Sequence, residues 1–281
     1  RDSHLLCDHL IANHARLRTD DESDDDILCL RELTQTEDEY IAEQTQFKNR
    51  IRAQISQFCP DLDAMVGEKL DIKAYSDYLL KFDPCELAPA EKVAEHLRNN
   101  YVRAQRVIAD FIEKHEAVGV LPLGAKLLKV HAEKLRSLVR QLHTVQEELA
   151  KCQDEIAAYF NALSNADIYR SLPGLGDRLA PRMAAYFGKD PCKNFASKAE
   201  ACAYFGQSPT TASSGGHDGG KESRRRPVKT TVSKRRSCNS KARHTAYLWS
   251  RALACLSEVN APWQRKYLAT LKERGDGSAT R

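Results

Sequence analysis

Apolar residues recur every seven positions along the middle of the chain. The repeat is unbroken at Leu128, Leu135, Leu142, Leu149, Ile156 and Leu163. A spacing of 3.5 residues per turn keeps one seam of a helix facing a partner helix. The pattern therefore predicts a coiled-coil arm or one half of an antiparallel helical hairpin, with a homo-oligomer, a dimer or tetramer, formed through the arm. A single long helix packed on its own domain shows the same repeat and stays open as the alternative.

Helical spacing also marks the stretch upstream of this repeat. Apolar residues three, four and seven positions apart predict one long amphipathic helix over residues 29–58, which ends before Pro60. A second helix is predicted over residues 92–115, followed by a turn at residues 119–124. Six acids lie between Asp20 and Asp26, and we interpret them as a solvated loop, because consecutive carboxylates repel one another.

Downstream of the repeat, shorter helical patterns predict a helix from Leu179 to Phe187 and another over residues 197–205. Two closing helices are predicted over residues 245–256 and 262–272, in which the tryptophans read as core residues. With only 13 Gly and 10 Pro in 281 residues, the chain is expected to be mainly α-helical.

Composition narrows the class of protein. The chain is 42% hydrophobic and 29% charged, which is typical of a globular protein of about two domains. Its longest apolar stretch is too short to span a bilayer, so no membrane partner is expected. Nine cysteines occur without a Cys-x-x-Cys pair, which argues against a structural zinc site and a secreted disulfide framework. We therefore expect a cytoplasmic protein with reduced thiols.

A glycine-rich segment, Leu-Pro-Gly-Leu-Gly at residues 172–176, predicts a tight hairpin between two helices. Such a hairpin leaves backbone N–H groups free at a helix start, where a phosphate can bind. Gly174 and Gly176 are therefore candidate nucleic-acid-binding residues.

A basic run follows between Asp218 and Arg243, where ten Lys and Arg residues face two acids. Runs of this kind bind phosphates with salt-sensitive affinity, although many are solvated loops or localisation-like tracts. The position of the run after the hairpin favours contact with nucleic acid. The candidate contact residues are Lys221, Arg224, Arg225, Arg226, Lys234, Arg235, Arg236 and Asn239.

Small hydroxyl residues lie beside this run, in the segment Pro-Thr-Thr-Ala-Ser-Ser-Gly-Gly at residues 209–216. We expect a flexible turn here, since Gly215 and Gly216 can adopt left-handed backbone that exposes a neighbouring side chain. A flexible linker is the alternative. No Gly-x-Ser-x-Gly motif surrounds Ser214, which argues against an α/β-hydrolase.

Taken in order, these motifs resemble the C-terminal domain of insertion-sequence-110-type transposases. The resemblance rests on residues 172–176, Phe195, residues 203–206, residues 209–215, residues 235–239, Leu248-Trp249 and the stretch from Trp263 to Gly275. It implies a DNA recombinase with an RNase H-like (RuvC-type) domain of four carboxylates that bind Mg²⁺, a coiled-coil arm and a small, mostly helical serine domain with a helix-hairpin-helix-like element. It also implies a structured guide RNA, the bridge RNA, as a partner.

The resemblance also implies the roles of single residues. Ser214 corresponds to the serine that attacks the DNA phosphodiester, with Ser213 as the fallback. Asp2 corresponds to the last carboxylate of the RNase H-like site, which makes it a catalytic residue and a Mg²⁺ ligand, with the other carboxylates upstream of residue 1. On its own, Asp2 reads better as the N-cap of a helix.

The predicted organisation is a remnant of the RuvC-like domain at residues 1–28, a helical, coiled-coil region at residues 29–164 and the serine domain at residues 165–281. We hypothesise a serine-type DNA transposase or recombinase, cytoplasmic and nucleoid-associated when bound to DNA. This stretch by itself is expected to bind DNA or RNA without cleaving it. The alternative is a non-catalytic coiled-coil protein that binds nucleic acid.

Overall fold

The structure is a computed structural model, and it describes residues 2–13, 25–83, 88–100, 102–214 and 229–255. The described helices are α1 (Asp2–Asn13), α2 (Asp25–Ile55), α3 (Pro60–Val66), α4 (Lys73–Lys81), α5 (Ala90–Asn99), α6 (Gln105–Glu116), α7 (Ala125–Ala162), α8 (Ala166–Ser171), α9 (Leu179–Phe187), α10 (Pro191–Asn194), α11 (Lys198–Tyr204) and α12 (Ser240–Cys255). A 3-10 turn at Gly67–Lys69 follows α3, and two strands, β1 (Thr210–Ser214) and β2 (Lys229–Ser233), form an antiparallel ribbon. The mainly α-helical prediction is confirmed.

The chain divides into two compact units. One unit is Gln35–Asp154, and the other combines residues 1–34 with residues 155–281. The boundaries between the units fall inside α2 and α7. The predicted domain division at residues 28 and 164 stays a prediction.

Within the unit Gln35–Asp154, α2 and α7 run antiparallel to each other. Gln54 of α2 contacts His131 of α7 at 2.7 Å, and Gln153 of α7 donates to Glu37 of α2 at 3.1 Å. The seven-residue repeat supplies Leu135 and Leu142, which have no exposed surface, to the core of this unit. This part of the repeat is therefore buried within a single chain. The homo-oligomer stays a prediction.

The single helix predicted over residues 92–115 is wrong, because α5 ends at Asn99 and α6 begins at Gln105. The Asn100 amide donates to the carbonyl of His96 at 3.0 Å, and the Val102 N–H donates to the carbonyl of Leu97 at 3.0 Å. These bonds satisfy carbonyls of the last turn of α5, which have no partner from a further helical turn.

The start of α2 corrects the loop predicted for the acidic residues 20–26. Asp25 and Asp26 form the first turn of the helix, where negative charge interacts favourably with the helix dipole. Residues 20–24 lie outside the described residues. The helix predicted over residues 29–58 is confirmed as α2, which ends at Ile55, three residues before the predicted end.

In the other unit, α8, α9 and α12 pack together, and α9 is buried along nearly its whole length, including Ala180, Met183 and Ala184. The predicted helix at residues 179–187 is confirmed, and the helix predicted over residues 197–205 is α11. The helix predicted over residues 245–256 is part of α12, which begins five residues earlier, at Ser240. The helix predicted over residues 262–272 lies outside the described residues. None of the described helices is both long and apolar enough to cross a bilayer.

Candidate nucleic-acid interface

The glycine segment forms the predicted hairpin between α8 and α9. The Leu175 N–H donates to the carbonyl of Leu172 at 3.2 Å, and Gly176 accepts from the first N–H groups of α9. The N–H groups of Gly176, Asp177 and Arg178 have no acceptor within the described ranges. The hairpin therefore presents free donors at the start of α9, and phosphate binding there stays a prediction.

The other side of the hairpin is covered by α12. The Trp249 indole donates to the carbonyl of Pro173 at 2.9 Å. Gly174 has a φ of 79°, and a Cβ at this position would lie 3.3 Å from the backbone N of Leu253. Gly174 is thus required by its backbone conformation and by the close approach of α12. The structure gives this glycine a packing role, which neither requires nor excludes contact with nucleic acid.

Asn239 holds the beginning of α12 in place. Its side-chain oxygen accepts from the N–H groups of Lys241 and Ala242 at 3.1 and 3.0 Å, as an N-cap does. Its side-chain nitrogen donates to the hydroxyl of Tyr204 at 2.9 Å, and its backbone N–H donates to the carbonyl of Tyr204 at 3.0 Å. These contacts join α12 to α11. Nucleic-acid contact by Asn239 stays a prediction beside this structural role.

The flexible turn predicted around the serines is wrong for residues 210–214, which form β1. Ser214 pairs with Lys229, and Ser213 pairs with Thr230. The β-branched threonines in both strands and Val232 in β2 favour extended backbone, whereas the prediction of a turn rested on the hydroxyl groups and the following glycines. Gly215 and Gly216 lie outside the described residues, and of Ser213 and Ser214 only the backbone is described.

Cationic residues continue directly from β2. Lys234 and Arg236 are exposed, and neither pairs with a carboxylate in the described parts of the chain. Arg235 is half-buried, and its carbonyl accepts from the Arg243 guanidinium at 3.2 Å. The remaining predicted contact residues, Lys221, Arg224, Arg225 and Arg226, lie outside the described residues.

A groove of about 600 Å³ lies next to these cations. Gly206, Gln207 and Lys234 line it beside one face of α12, which contributes Ser240, Arg243, His244, Tyr247 and Ser250. Arg243 was predicted only as part of the basic run, and no role was predicted for His244 or Tyr247. Their spacing of three and four residues along α12 is the signal that places them on one helix face.

Asp2 is the first residue of α1, and its side chain is outside the described set. A Mg²⁺ site in a protein is built from several oxygen ligands. No group of three His, Cys, Asp or Glu side chains that could hold a metal ion occurs among the residues described here. The described residues therefore do not fit a Mg²⁺ site by themselves. Ligation of Mg²⁺ by Asp2 stays a prediction.

Comparison with known proteins identifies the class of this domain. Residues 166–269, which include the hairpin, the ribbon and α12, match a family model described as "Transposase IS116/IS110/IS902 family". Residues 166–269 are thus similar to the transposase domain of this family. It is also 28% identical over 219 residues to the "Insertion element IS110 uncharacterized 43.6 kDa protein" of Streptomyces coelicolor, an alignment that covers 76% of the chain.

The chain spans about half, 53%, of the length of that relative. No solved structure matches the chain.

Proposed function

We propose that the protein is a DNA transposase or recombinase of an insertion sequence in which Ser214 is the nucleophile. The observation that carries the proposal is the transposase family match over residues 166–269, which contains Ser214 and the groove beside α12. Additional support comes from the charge of this region, because residues 229–255 contain seven Lys and Arg residues and no Asp or Glu. Such a surface attracts the phosphates of a nucleic acid.

The proposed reaction is a phosphoryl transfer to serine. The Ser214 oxygen forms a bond to a DNA phosphorus, and the bond between that phosphorus and one of its bridging oxygens breaks. The hydroxyl proton passes to a base, and the departing oxygen takes up a proton, which leaves a phosphoserine link and a free DNA hydroxyl. Attack by that hydroxyl or its counterpart on a second strand reverses the link after strand exchange. Nearby cations would stabilise the charge that develops on the phosphoryl oxygens.

A serine hydroxyl is a weak nucleophile until a base or a metal ion lowers the free energy needed to deprotonate it. The resemblance assigns this assistance to Mg²⁺ bound by a RuvC-like acidic site that includes Asp2. Since the described residues do not supply a metal site, we derive no step through the ion. We include Mg²⁺, a guide RNA and assembly into a homo-oligomer as parts of the proposal, with a cytoplasmic location bound to the nucleoid.

The test is the substitution Ser214→Ala in the protein expressed from its full reading frame. We expect the covalent protein–DNA adduct, trapped by denaturation and measured by gel shift, to disappear while DNA affinity stays unchanged. Ser213→Ala is the matched control, since it removes the neighbouring hydroxyl from the same strand, and it should keep the adduct.

Loss of the adduct only in Ser213→Ala would move the nucleophile by one residue. An adduct that persists when both serines are replaced would overturn serine chemistry at this site. Retained DNA binding with no adduct from the unaltered protein would instead favour the non-catalytic nucleic-acid-binding alternative.

A further inference from the structure

We propose that the exposed face of α12, together with Lys234, binds an unpaired DNA nucleotide, with Tyr247 stacking on the base and Lys234 and Arg243 contacting its phosphates. This inference rests on the proposed function, because it names the form of DNA that the transposase domain holds. It concerns the groove beside α12 and not the attack by serine.

The position of this face is fixed by contacts on the opposite side of α12. Ala242 and Ala246 are buried there, with exposed fractions of 0% and 9%. The Trp249 indole anchors the same side to the hairpin through Pro173, and the Asn239 cap anchors the first turn to Tyr204. Because the helix is held at both places, its outward side chains keep a fixed spacing. A preorganised surface of this kind loses little conformational entropy when it binds a ligand.

The charge of the groove suits a phosphate backbone. Lys234 and Arg243 line it, and none of the Asp or Glu residues that the structure describes does. Arg251, one turn beyond Tyr247, is exposed and has no carboxylate partner in the described part of the chain. Arg243 donates to the carbonyl of Arg235 but has no carboxylate partner among the described residues. Cations that are not neutralised by a carboxylate remain available to replace the counterions of DNA phosphates.

The aromatic ring of Tyr247 distinguishes this groove from a plain basic patch. Tyr247 is 43% exposed, whereas the aromatic residues Phe187, Phe195 and Phe205 of the same unit stack on one another. Exposing an aromatic ring between cations gives up the free energy that burial would contribute. It leaves a π-face available for a base, which is the usual arrangement in proteins that bind single strands.

Stacking on Tyr247 requires a base with a free face. In duplex DNA both faces of a base are covered by its neighbours, so a duplex offers this groove only its phosphates. An unpaired strand offers phosphates and bases together. The volume of about 600 Å³ lies within the range of sites that enclose a small organic ligand, and a nucleotide is of that size. The combination therefore favours an unpaired strand over a duplex.

The test measures binding of the chain, by fluorescence anisotropy, to a 12-nucleotide oligothymidylate and to a 12-base-pair duplex at the same salt concentration. We expect Tyr247→Ala to weaken oligothymidylate binding about tenfold and to leave duplex binding within about twofold. Tyr247→Phe keeps the ring and should restore the affinity. The matched control is Tyr159→Ala, which removes another exposed tyrosine, 38% exposed, from a different helix of the same unit.

Lys234→Gln should lower the salt dependence of oligothymidylate binding by about one unit of slope, as expected for one phosphate contact. Lys193→Gln, at an exposed position on α10, should not.

The inference is overturned if Tyr247→Ala weakens both ligands equally, if it changes neither, or if Tyr159→Ala has the same effect. Tighter binding of an oligouridylate RNA than of oligothymidylate would overturn the assignment to DNA.

These results are independent of the chemistry at Ser214. An adduct that survives Ser214→Ala overturns the proposed nucleophile and leaves the groove assignment standing. Unchanged oligothymidylate binding in Tyr247→Ala overturns the groove and leaves the nucleophile standing.

Discussion

The unit Gln35–Asp154 and the segment 229–255 of the other unit use charged side chains in opposite ways. In the first, cations pair with carboxylates of the same chain, as Lys48 does with Asp71 at 2.8 Å and Arg136 does with Glu133 at 2.6 Å. In the second, the sequence has seven Lys and Arg residues and no acid. Charges that are neutralised within the chain support the fold, whereas the exposed Lys234 and Arg236, which have no carboxylate partner among the described residues, are available to an external polyanion.

The two regions also differ in how they place uncharged polar and aromatic side chains. In the unit Gln35–Asp154, buried polar groups are paired: the Tyr78 hydroxyl contacts His115 Nδ1 at 2.8 Å, and His96 Nε2 contacts the carbonyl of Ala74 at 3.0 Å. Burial raises the pKa of Tyr78 well above its ordinary value, which keeps this hydroxyl protonated and able to donate. The segment 229–255 instead leaves Tyr247 and His244 at the surface of a groove. One region buries polar side chains in pairs, and the other exposes them.

The largest expected effect on stability comes from a substitution in the core of the unit Gln35–Asp154. Phe111 has no exposed surface and packs its ring against Tyr75 and Tyr78. Phe111→Ala should lower the free energy of unfolding by about 3–5 kcal/mol, because it removes apolar contacts and leaves a cavity. The measurement is urea unfolding followed by circular dichroism, with hydrogen exchange to show which unit opens.

Val107→Ala is the control on the same helix, since Val107 is 38% exposed. It should change the free energy of unfolding by less than about 0.5 kcal/mol. Equal effects of the two substitutions would show that α6 is not part of the core.

The fold was predictable where a long periodic pattern decides it. The seven-residue repeat predicted α7, and the apolar spacing predicted most of α2. The sequence left open what the repeat packs against, because the apolar positions have the same spacing in a dimer and in a single-chain core. The break between α5 and α6 was not predicted, because it is marked by local capping bonds from Asn100 and Val102 and not by a Pro or Gly residue.

The candidate site was predictable in part for a related reason. The hairpin at residues 172–176 follows from its glycines, whose conformational freedom is a local property. The ribbon was missed because the reading of residues 209–216 emphasised hydroxyl chemistry and not β-branching. The position of Tyr247 and His244 in the groove was not predicted, because it depends on which side of α12 faces the hairpin. Packing between helices distant in sequence sets that orientation.

Substitutions of the two hairpin glycines test whether α12 packs against the hairpin in the other unit. Gly174→Ala forces an L-residue to a φ of 79° and places its Cβ 3.3 Å from the backbone of α12, so we expect a loss of about 1–3 kcal/mol. Gly176→Ala is the matched control, since nothing lies within 4 Å of the added Cβ. Thermal unfolding of the two variants measures the difference. Similar losses would show that α12 does not rest on the hairpin.

Buried histidine makes the first unit sensitive to pH. Burial lowers the pKa of His143 below its ordinary value of 6.5, and the nearby Asp77 opposes this shift. The unfolded chain therefore binds the proton more readily than the folded chain. The stabilising contribution of His143 is complete above pH 6.5 and is lost as the pH falls through the pKa of the folded state.

We expect the free energy of unfolding of the unit Gln35–Asp154 to decrease between about pH 7 and pH 5, and to decrease less steeply in His143→Gln. His143 Nε2 contacts the Ser76 hydroxyl at 2.8 Å, and a glutamine side chain can keep this contact. The effect should be smaller than that of Gly174→Ala. Urea unfolding at several pH values measures it. His244→Gln, at the exposed surface of α12, is the control, and it should leave the slope unchanged. An identical slope in all three proteins would assign the pH dependence to other groups.

The smallest expected effect on stability tests the contrast in charge directly. Lys48→Gln removes the partner of Asp71 and should lower the free energy of unfolding by no more than about 1 kcal/mol, since the pair is partly exposed to solvent. Arg236→Gln removes an exposed cation without a carboxylate partner in the described residues, and should change stability by less than about 0.5 kcal/mol. For DNA binding the order reverses, because Arg236→Gln should reduce the salt dependence of affinity by about one unit of slope, and Lys48→Gln should not. If Arg236→Gln proves the more destabilising of the two and leaves the salt dependence unchanged, the cations after β2 serve the fold and the contrast between the two regions fails.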